Sequence, residues 1–216
     1  TSCATSPQLS QYVDPKIGTG DHGHVFVGAN VPFGMVQVGP TSIPQDWDWC
    51  SGYHASDVSV IGFSHTHLSG TGIGDLFDIT LMPVVGSVTY ARGDGEDYAS
   101  GMWSKADRSK EVAKVGYYSV PLERYGILAE MTATSRVGYH RYTFPESEES
   151  AIVIDLQNGG CWDRVSESKM RVEGNNRIYG YRYSNGWASD QKVFFVAEFS
   201  KPFDNFAIMN DHYGRL

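Results

Sequence analysis

The chain lacks the marks of several large classes of protein. It holds three cysteines in 216 residues, at positions 3, 50 and 161, an odd number that provides no disulfide framework. It has no run of lysine and arginine. The nearest stretch, Lys105-Ala106-Asp107-Arg108-Ser109-Lys110-Glu111, mixes signs, and 17 basic against 25 acidic residues leave a net charge of −8. A nucleic-acid partner would call for a basic patch, and none is present. No apolar run approaches the roughly 20 residues of a membrane-spanning helix. No segment sustains a 3.6-residue apolar period, and neither an internal repeat nor a low-complexity linker interrupts the chain.

What is present is turn-rich: 24 glycines and 9 prolines separate short apolar runs. Strand-like runs fall near 24–28, 34–38, 58–64, 77–82, 84–90, 114–121, 127–134, 137–144, 151–156, 169–173, 177–184 and 192–199. Ile127, Ala129, Met131 and Ala133 alternate with Leu128, Glu130, Thr132 and Thr134, the pattern of a half-buried strand. Arg124-Tyr125-Gly126, Ser135-Arg136 and Gly174-Asn175-Asn176 each join two runs and read as hairpin connections. About a dozen strands and no strong helix predict an all-β domain of two packed antiparallel sheets. Residues 1–11 read as a tether, and the domain runs over 12–216.

Two segments carry the most chemistry. Trp47-Asp48-Trp49-Cys50-Ser51-Gly52-Tyr53-His54 and Gly62-Phe63-Ser64-His65-Thr66-His67-Leu68-Ser69-Gly70-Thr71-Gly72 crowd aromatic rings, imidazoles and hydroxyls between glycines. That mixture suits a polyhydroxylated ligand: flat rings cover the apolar face of a sugar, and imidazoles and hydroxyls bond its OH groups. In a strand, Trp47 and Trp49 would share one face, but Pro44, Gln45 and Ser51-Gly52 bracket them as a loop. An exposed indole in a loop needs a reason, and an exposed apolar surface is expected over 45–75.

His65 and His67 admit three readings: a satisfied structural pair, a metal site with His22-x-His24 repeating the same spacing, or bonding of sugar hydroxyls. The sequence fixes no third metal ligand. The glycines of Ser69-Gly70-Thr71-Gly72 let backbone approach a ligand closely.

Other signals weigh less. Gly18-x-Gly20-x-x-Gly23 matches a dinucleotide fingerprint, but it lies between Asp14-Pro15 and a strand-like run rather than between a strand and a helix. Cys50 near His54 and Asp57 has no spacing that argues for a nucleophile. Asp46, Asp48, Asp75 and Asp78 read as loop or strand-end acids, so no general acid or base is assigned. Tyr179, Tyr181 and Tyr183 read as a core stripe, and Asn158-Gly159-Gly160-Cys161-Trp162-Asp163 as a glycine-aromatic loop.

The two aromatic-histidine segments resemble the N-terminal domain of glycoside hydrolase family 92, the bacterial exo-acting α-mannosidases. The resemblance extends through Tyr12-Val13-Asp14-Pro15-Lys16-Ile17-Gly18-Thr19-Gly20, Gly23-His24-Val25-Phe26-Val27-Gly28-Ala29, Val31-Pro32-Phe33-Gly34-Met35-Val36-Gln37, Gly116-Tyr117-Tyr118, Val137-Gly138-Tyr139-His140-Arg141-Tyr142-Thr143-Phe144-Pro145 and Gly186-Trp187-Ala188-Ser189-Asp190-Gln191-Lys192-Val193.

It implies a β-supersandwich like that of galactose mutarotase, followed after residue 216 by an (α/α)₆ barrel that this chain does not contain. It further implies an inverting, calcium-dependent enzyme that removes terminal α-linked mannose, α-1,2-linked in the first instance, from N-glycans or mannans. Acid, base and most calcium ligands belong to the barrel, so this domain alone is expected to be inactive, to hold no catalytic residue and to bind no metal or other cofactor. Its partners are mannose-containing glycans and the barrel. Substrate contact at the junction is expected from Trp47, Trp49, Cys50, Tyr53, His65, His67, Ser69, Gly70 and Thr71.

Thr1-Ser2-Cys3 resembles the end of a bacterial lipoprotein signal, which would place the enzyme outside the cytoplasm, periplasmic or tethered at the outer membrane; an arbitrary chain end is the alternative. A free-standing carbohydrate-binding module and a metal-dependent hydrolase built on the His-x-His pairs are the other functional readings.

Overall fold

The computed structural model describes residues 8–157, 159–210 and 214–215. The expected tether and Cys3 lie mostly outside these residues. The described chain is antiparallel β throughout, and its helical turns are short 3-10 turns at Leu9–Tyr12, Trp47–Trp49 and Tyr98–Ser100. It divides into two compact units, Thr1–Arg164 and Val165–Leu216.

In the first unit, β1 (Ala29–Asn30), β2 (Gln37–Thr41), β4 (Gly62–Ser64), β5 (Thr80–Val85) and β11 (Ser150–Asp155) form a five-stranded sheet, in the order β1-β2-β4-β5-β11. β7 (Val112–Lys114), β8 (Tyr117–Leu122), β9 (Ile127–Ala133) and β10 (Gly138–Thr143) form a meander, and β3 (Ser59–Val60) pairs with β6 (Ser104–Lys105).

The alternation read from 127–134 is the inner face of β9. Ile127, Ala129, Met131 and Ala133 are buried, while Leu128 and Thr132 are exposed. Register places Leu122 opposite Ile127, Val120 opposite Ala129 and Tyr118 opposite Met131. These residues form one core with Val36, just before β2, and with Val38, Phe63, Met82 and Val84 of the facing sheet. Two sheets sharing their apolar faces are the predicted sandwich.

The strand expectations fail where the backbone turns left-handed. Leu76, Phe77 and Ile79 have φ of 84°, 51° and 55°, so the run expected at 77–82 becomes a strand only from Thr80. Gly86, at φ 78°, ends β5 and removes the run expected at 84–90. The run expected at 24–28 is a loop with His24 at φ 53°. The hairpin turns after Leu122, Ala133 and Glu173 fall where the sequence places them.

Glycine contacts position the loop that precedes β1. A Cβ on Gly28 would lie 2.2 Å from the Val38 carbonyl oxygen, and one on Gly39 would lie 2.1 Å from that of Val27. A Cβ on Gly23 would lie 1.9 Å from the Gly18 oxygen. The Gly18-x-Gly20-x-x-Gly23 spacing thus closes a loop on itself, with the Val25 N–H donating to the Gly18 carbonyl at 3.3 Å; no helix follows it.

One buried carboxylate ties this entry segment to the body. Glu111, whose side chain is fully buried, accepts from Lys16 Nζ (2.5 Å), Arg108 Nη1 (2.5 Å), Tyr118 OH (2.6 Å) and Tyr53 OH (3.1 Å). The Arg108 guanidinium lies 4.5 Å from the Tyr53 ring centroid.

The second unit contains β12 (Arg164–Glu173), β13 (Arg177–Asn185) and β14 (Gln191–Glu198) in that order, with β15 (Met209–Asn210) paired to β16 (Gly214–Arg215). Tyr179, Tyr181 and Tyr183 are half-buried rather than core. Tyr181 and Tyr183 stack at 4.5 Å and meet the exposed Phe194 ring, an aromatic ladder on one face of the hairpin.

Gly39→Ala forces a methyl group into a backbone oxygen and is expected to destabilise the fold by about 2–3 kcal/mol. Leu128→Ala, on the exposed face of β9, should stay within about 0.5 kcal/mol. Urea denaturation of both variants checks the contrast.

Candidate functional site

The site is built from three loops of the first unit. Asp46 caps the Trp47–Trp49 turn, its side chain accepting from the Asp48 N–H at 3.1 Å. The Cys50 N–H closes the turn on the Trp47 carbonyl at 3.1 Å. A 3-10 turn separates successive side chains by about 120°, so the two indoles diverge instead of sharing a face.

Trp47 is 53% exposed, donates its indole N–H to the Gly72 carbonyl at 2.9 Å and meets the edge of the His24 ring at 4.2 Å. Trp49 is half-buried, stacks on His54 at 4.4 Å and donates to Asp57 Oδ2 at 2.7 Å. Between them, Asp48 Oδ1 accepts from His22 Nδ1 (2.7 Å) and His24 Nε2 (3.2 Å). The His24 carbonyl in turn accepts from the Gly70 N–H at 2.6 Å. Loop 18–24, turn 46–50 and loop 69–72 are therefore cross-tied around Trp47.

Of the nine predicted contact residues, Trp47 and Gly70 sit in this cluster, and Ser69 and Thr71 lie exposed on the same loop as Gly70. The Thr71 hydroxyl accepts from the Ile73 N–H at 3.3 Å. Cys50 and Tyr53 are buried. Burial raises the Cys50 thiol pKa, and burial first of all pushes the Tyr53 phenol up to about 12, its hydroxyl held by Glu111. Their position is that of braces behind the turn. The expected broad apolar surface over 45–75 reduces to Trp47 and Val58 as large exposed apolar side chains.

The two His-x-His pairs do not converge on one site. His65 belongs to a directed chain. The Ile79 carbonyl can only accept, so His65 Nδ1 donates to it at 2.6 Å. His65 Nε2 then carries a lone pair and accepts from His140 Nε2 at 2.9 Å, and His140 Nδ1 accepts from the Tyr142 hydroxyl at 2.8 Å. Gly138 makes room for this chain, since a Cβ there would lie 2.7 Å from the His65 ring.

His67 is buried between Phe26 and Phe77, and its Nδ1 donates to the Gln37 carbonyl at 2.8 Å. Its Nε2 is buried without a hydrogen-bond partner. Burial lowers the pKa of all three imidazoles, that of His67 to about 4. By contrast, the hydrogen bond to Asp48 raises the pKa of His22, and the hydrogen bond from His22 lowers that of Asp48.

Sequence reasoning used His22-x-His24 only as a repeat of a spacing, and His140 and Tyr142 only as part of a resemblance. The signal for the latter pair was available: on β10, Gly138, His140 and Tyr142 alternate inward against the exposed Tyr139 and Arg141. Trp162 also joins this region. Its backbone N–H donates to the Gly74 carbonyl at 2.6 Å, and Gly74 lies against its ring. Asn158 of that loop lies outside the described residues.

Calcium, implied by the resemblance, prefers roughly six to eight oxygen ligands. The convergent donors here are two imidazole nitrogens and one carboxylate. The set does not fit calcium, and no step is derived through it.

The N-terminal domain of glycosyl hydrolase family 92 matches residues 12–215, and the chain belongs to that family. An uncharacterized secreted glycosidase of Arthroderma benhamiae is 29% identical over 186 residues, 76% of this chain and 22% of that protein. The family 92 α-mannosidase of Bacteroides thetaiotaomicron superposes with a TM-score of 0.92 at 37% identity, over 99% of this chain and 28% of that one. Its complex with mannoimidazole superposes at 0.91 with 38% identity, over 95% and 27%. The chain thus spans less than a third of the relatives it matches.

The buried His67 and the half-buried His65 and His140 predict an acid-labile fold. Their folded pKa values lie below the unfolded value of about 6.5, so between the two the unfolded chain binds more protons. The stability of the neutral folded forms is complete above pH 6.5 and is lost as pH falls towards about 4, the value for His67. Urea midpoints taken from pH 7 to pH 4 should fall steadily, and His140→Gln should flatten the curve. A midpoint constant across that interval contradicts the assignment of neutral, buried imidazoles.

Proposed function

We propose that this chain is the N-terminal domain of an exported exo-α-mannosidase and forms one wall of its sugar-binding site. The observation that carries the proposal is the superposition of 95% of the chain on a family 92 α-mannosidase in complex with mannoimidazole, at 38% identity. The half-exposed Trp47 ring, backed by His24, offers an apolar plate for a sugar face. The hydroxyls of Ser69 and Thr71, on the exposed loop beside it, offer bonds to sugar OH groups. Trp49, with its N–H occupied by Asp57, contributes a ring edge and holds the turn.

In this proposal the full-length protein hydrolyses terminal α-linked mannose, α-1,2-linked in N-glycans or mannans, with inversion. Inversion requires two carboxyl groups separated by roughly 6.5–9.5 Å so that a water fits between them. Both are assigned to an (α/α)₆ barrel outside this chain, together with a calcium site. The chain alone is then inactive. Export accords with the relative described as secreted, and Cys3 is the proposed lipid attachment point for a periplasmic or outer-membrane tether.

Mannose release from α-1,2-mannobiose tests the division of labour. The full-length protein should release mannose and the 216-residue chain should not; turnover by the chain alone removes the proposal. Millimolar mannose binding by the chain alone would instead favour a carbohydrate-binding module. In the active full-length protein, Trp47→Ala should lower kcat/KM at least about tenfold, equivalent to about 1.4 kcal/mol, while Trp187→Ala, in the second unit, should leave it unchanged.

A further inference from the structure

Among the described residues, His22, His24 and Asp48 bring one ligand atom each to within 4.8 Å of one another. The atoms are His22 Nδ1, His24 Nε2 and Asp48 Oδ1, and the shared carboxylate oxygen lies 2.7 and 3.2 Å from the two nitrogens. Zinc bonds of about 2.0–2.2 Å in tetrahedral geometry separate ligand atoms by roughly 3.3 Å, so an ion requires an opening of about half an ångström on the His22 side. His22 is the exposed member and can move, whereas His24 is buried.

The backbone is arranged for this convergence. Asp21 and His24, neither of them glycine, adopt left-handed φ of 51° and 53°, an uncommon conformation for such residues. Strain of this kind persists where the surroundings hold it and concentrates at binding sites. Here the Gly70 N–H holds the His24 carbonyl and the Trp47 ring packs on the His24 imidazole. Asp48 is fixed by the Asp46 cap at its own N–H.

We propose that His22, His24 and Asp48 bind a divalent first-row transition metal, for which zinc is the probe. Two imidazoles and a carboxylate suit such ions and not hard calcium or magnesium. Among the divalent ions of this row, zinc binds such sites more tightly than iron or manganese, so it is a sufficient test. On binding, the two ring tautomers shift so that lone pairs replace the N–H groups now directed at Asp48. Three protein ligands leave a position for water or a ligand oxygen. The ion clamps loop 18–24 to the turn that carries Trp47. This site goes beyond the glycosidase proposal, which needs no metal here, and either can fail without the other.

The test is zinc binding by the purified chain, followed by calorimetry and by metal content after dialysis, with Tm measured with and without zinc. The expected result is one zinc per chain and a raised Tm. His22→Ala, at an exposed position, and Asp48→Asn, which keeps the size of the half-buried side chain, should bind zinc more than about 100-fold more weakly while retaining the circular dichroism of the parent. Calcium in tenfold excess should not displace the ion. A folded chain that retains no zinc overturns the proposal. So does undiminished affinity in both variants, or displacement of zinc by calcium.

Discussion

The close crossing of two backbone segments at Gly28 and Gly39 sets where everything near the site can lie. Each glycine occupies space in which a Cβ would overlap the other segment's carbonyl oxygen at 2.1–2.2 Å. The chain entering β1 therefore runs directly against β2, and the loop before it is delivered to the end of the sheet beside the 46–50 turn. Gly18 and Gly23 then close that loop on itself. His22 and His24 reach Asp48 because the loop has no slack, and the Glu111 carboxylate anchors its other end through Lys16. A fingerprint that suggests phosphate binding is here a device for backbone packing.

The sandwich also holds polar groups in its interior, and their hydrogen bonds are directional. Thr80 donates to the Phe77 carbonyl at 3.1 Å, which leaves its oxygen to accept from Ser64, and the Ser64 oxygen in turn to accept from Thr41. The Ile79 carbonyl orders His65, His140 and Tyr142 in the same way. A buried polar chain stabilises only when each member is satisfied, and in each of these chains a backbone carbonyl decides the direction. Protonation of His65 would set two N–H groups against each other at 2.9 Å, and protonation of His140 would turn its Nδ1 from acceptor to donor and reverse the Tyr142 hydroxyl. The imidazole chain thus favours the neutral forms, in the same direction as the burial that lowers both pKa values.

Much of the scaffold was legible in the sequence because period-two alternation reports directly on burial. The 127–133 stretch reads correctly residue by residue, and its hairpins are marked by glycine or short polar connections. The failures have a common cause. The 24–28 and 77–82 stretches look like strands by composition, but left-handed residues at His24, Phe77 and Ile79 break the first and delay the second to Thr80, and no local pattern announces a non-glycine at positive φ; the 84–90 run stops at left-handed Gly86. Tertiary contacts hold those angles. The tyrosine stripe at 179–183 alternates as a core strand would, yet Tyr181 and Tyr183 stack on each other and meet Phe194 tilted and edge-on instead of filling an interior. In the site, the structure brings the 46–50 and 69–72 parts of the aromatic-histidine segments together with loop 18–24. Asp48 was invisible as a hub because its partners lie 24 and 26 residues away.

The division between loop and scaffold bears on how such a site would bind. Loops offer variety of side chains but ordinarily lose entropy when a ligand orders them. Trp47 is on a loop, yet its indole N–H is committed to Gly72, one ring face is backed by His24, and its turn is capped by Asp46. Its exposed surface is therefore fixed before any ligand arrives. The 69–71 loop is tied through its backbone, the Gly70 N–H donating to the His24 carbonyl at 2.6 Å, while its side chains are exposed and a Cβ on Gly70 would meet nothing within 4 Å. A rigid aromatic plate beside exposed hydroxyl side chains can hold a sugar ring by its flat face while rotation of the hydroxyls adjusts to its stereochemistry. Affinity would then rest mainly on Trp47 and discrimination on the 69–71 loop, so substitutions at the two places should differ in kind and not only in size.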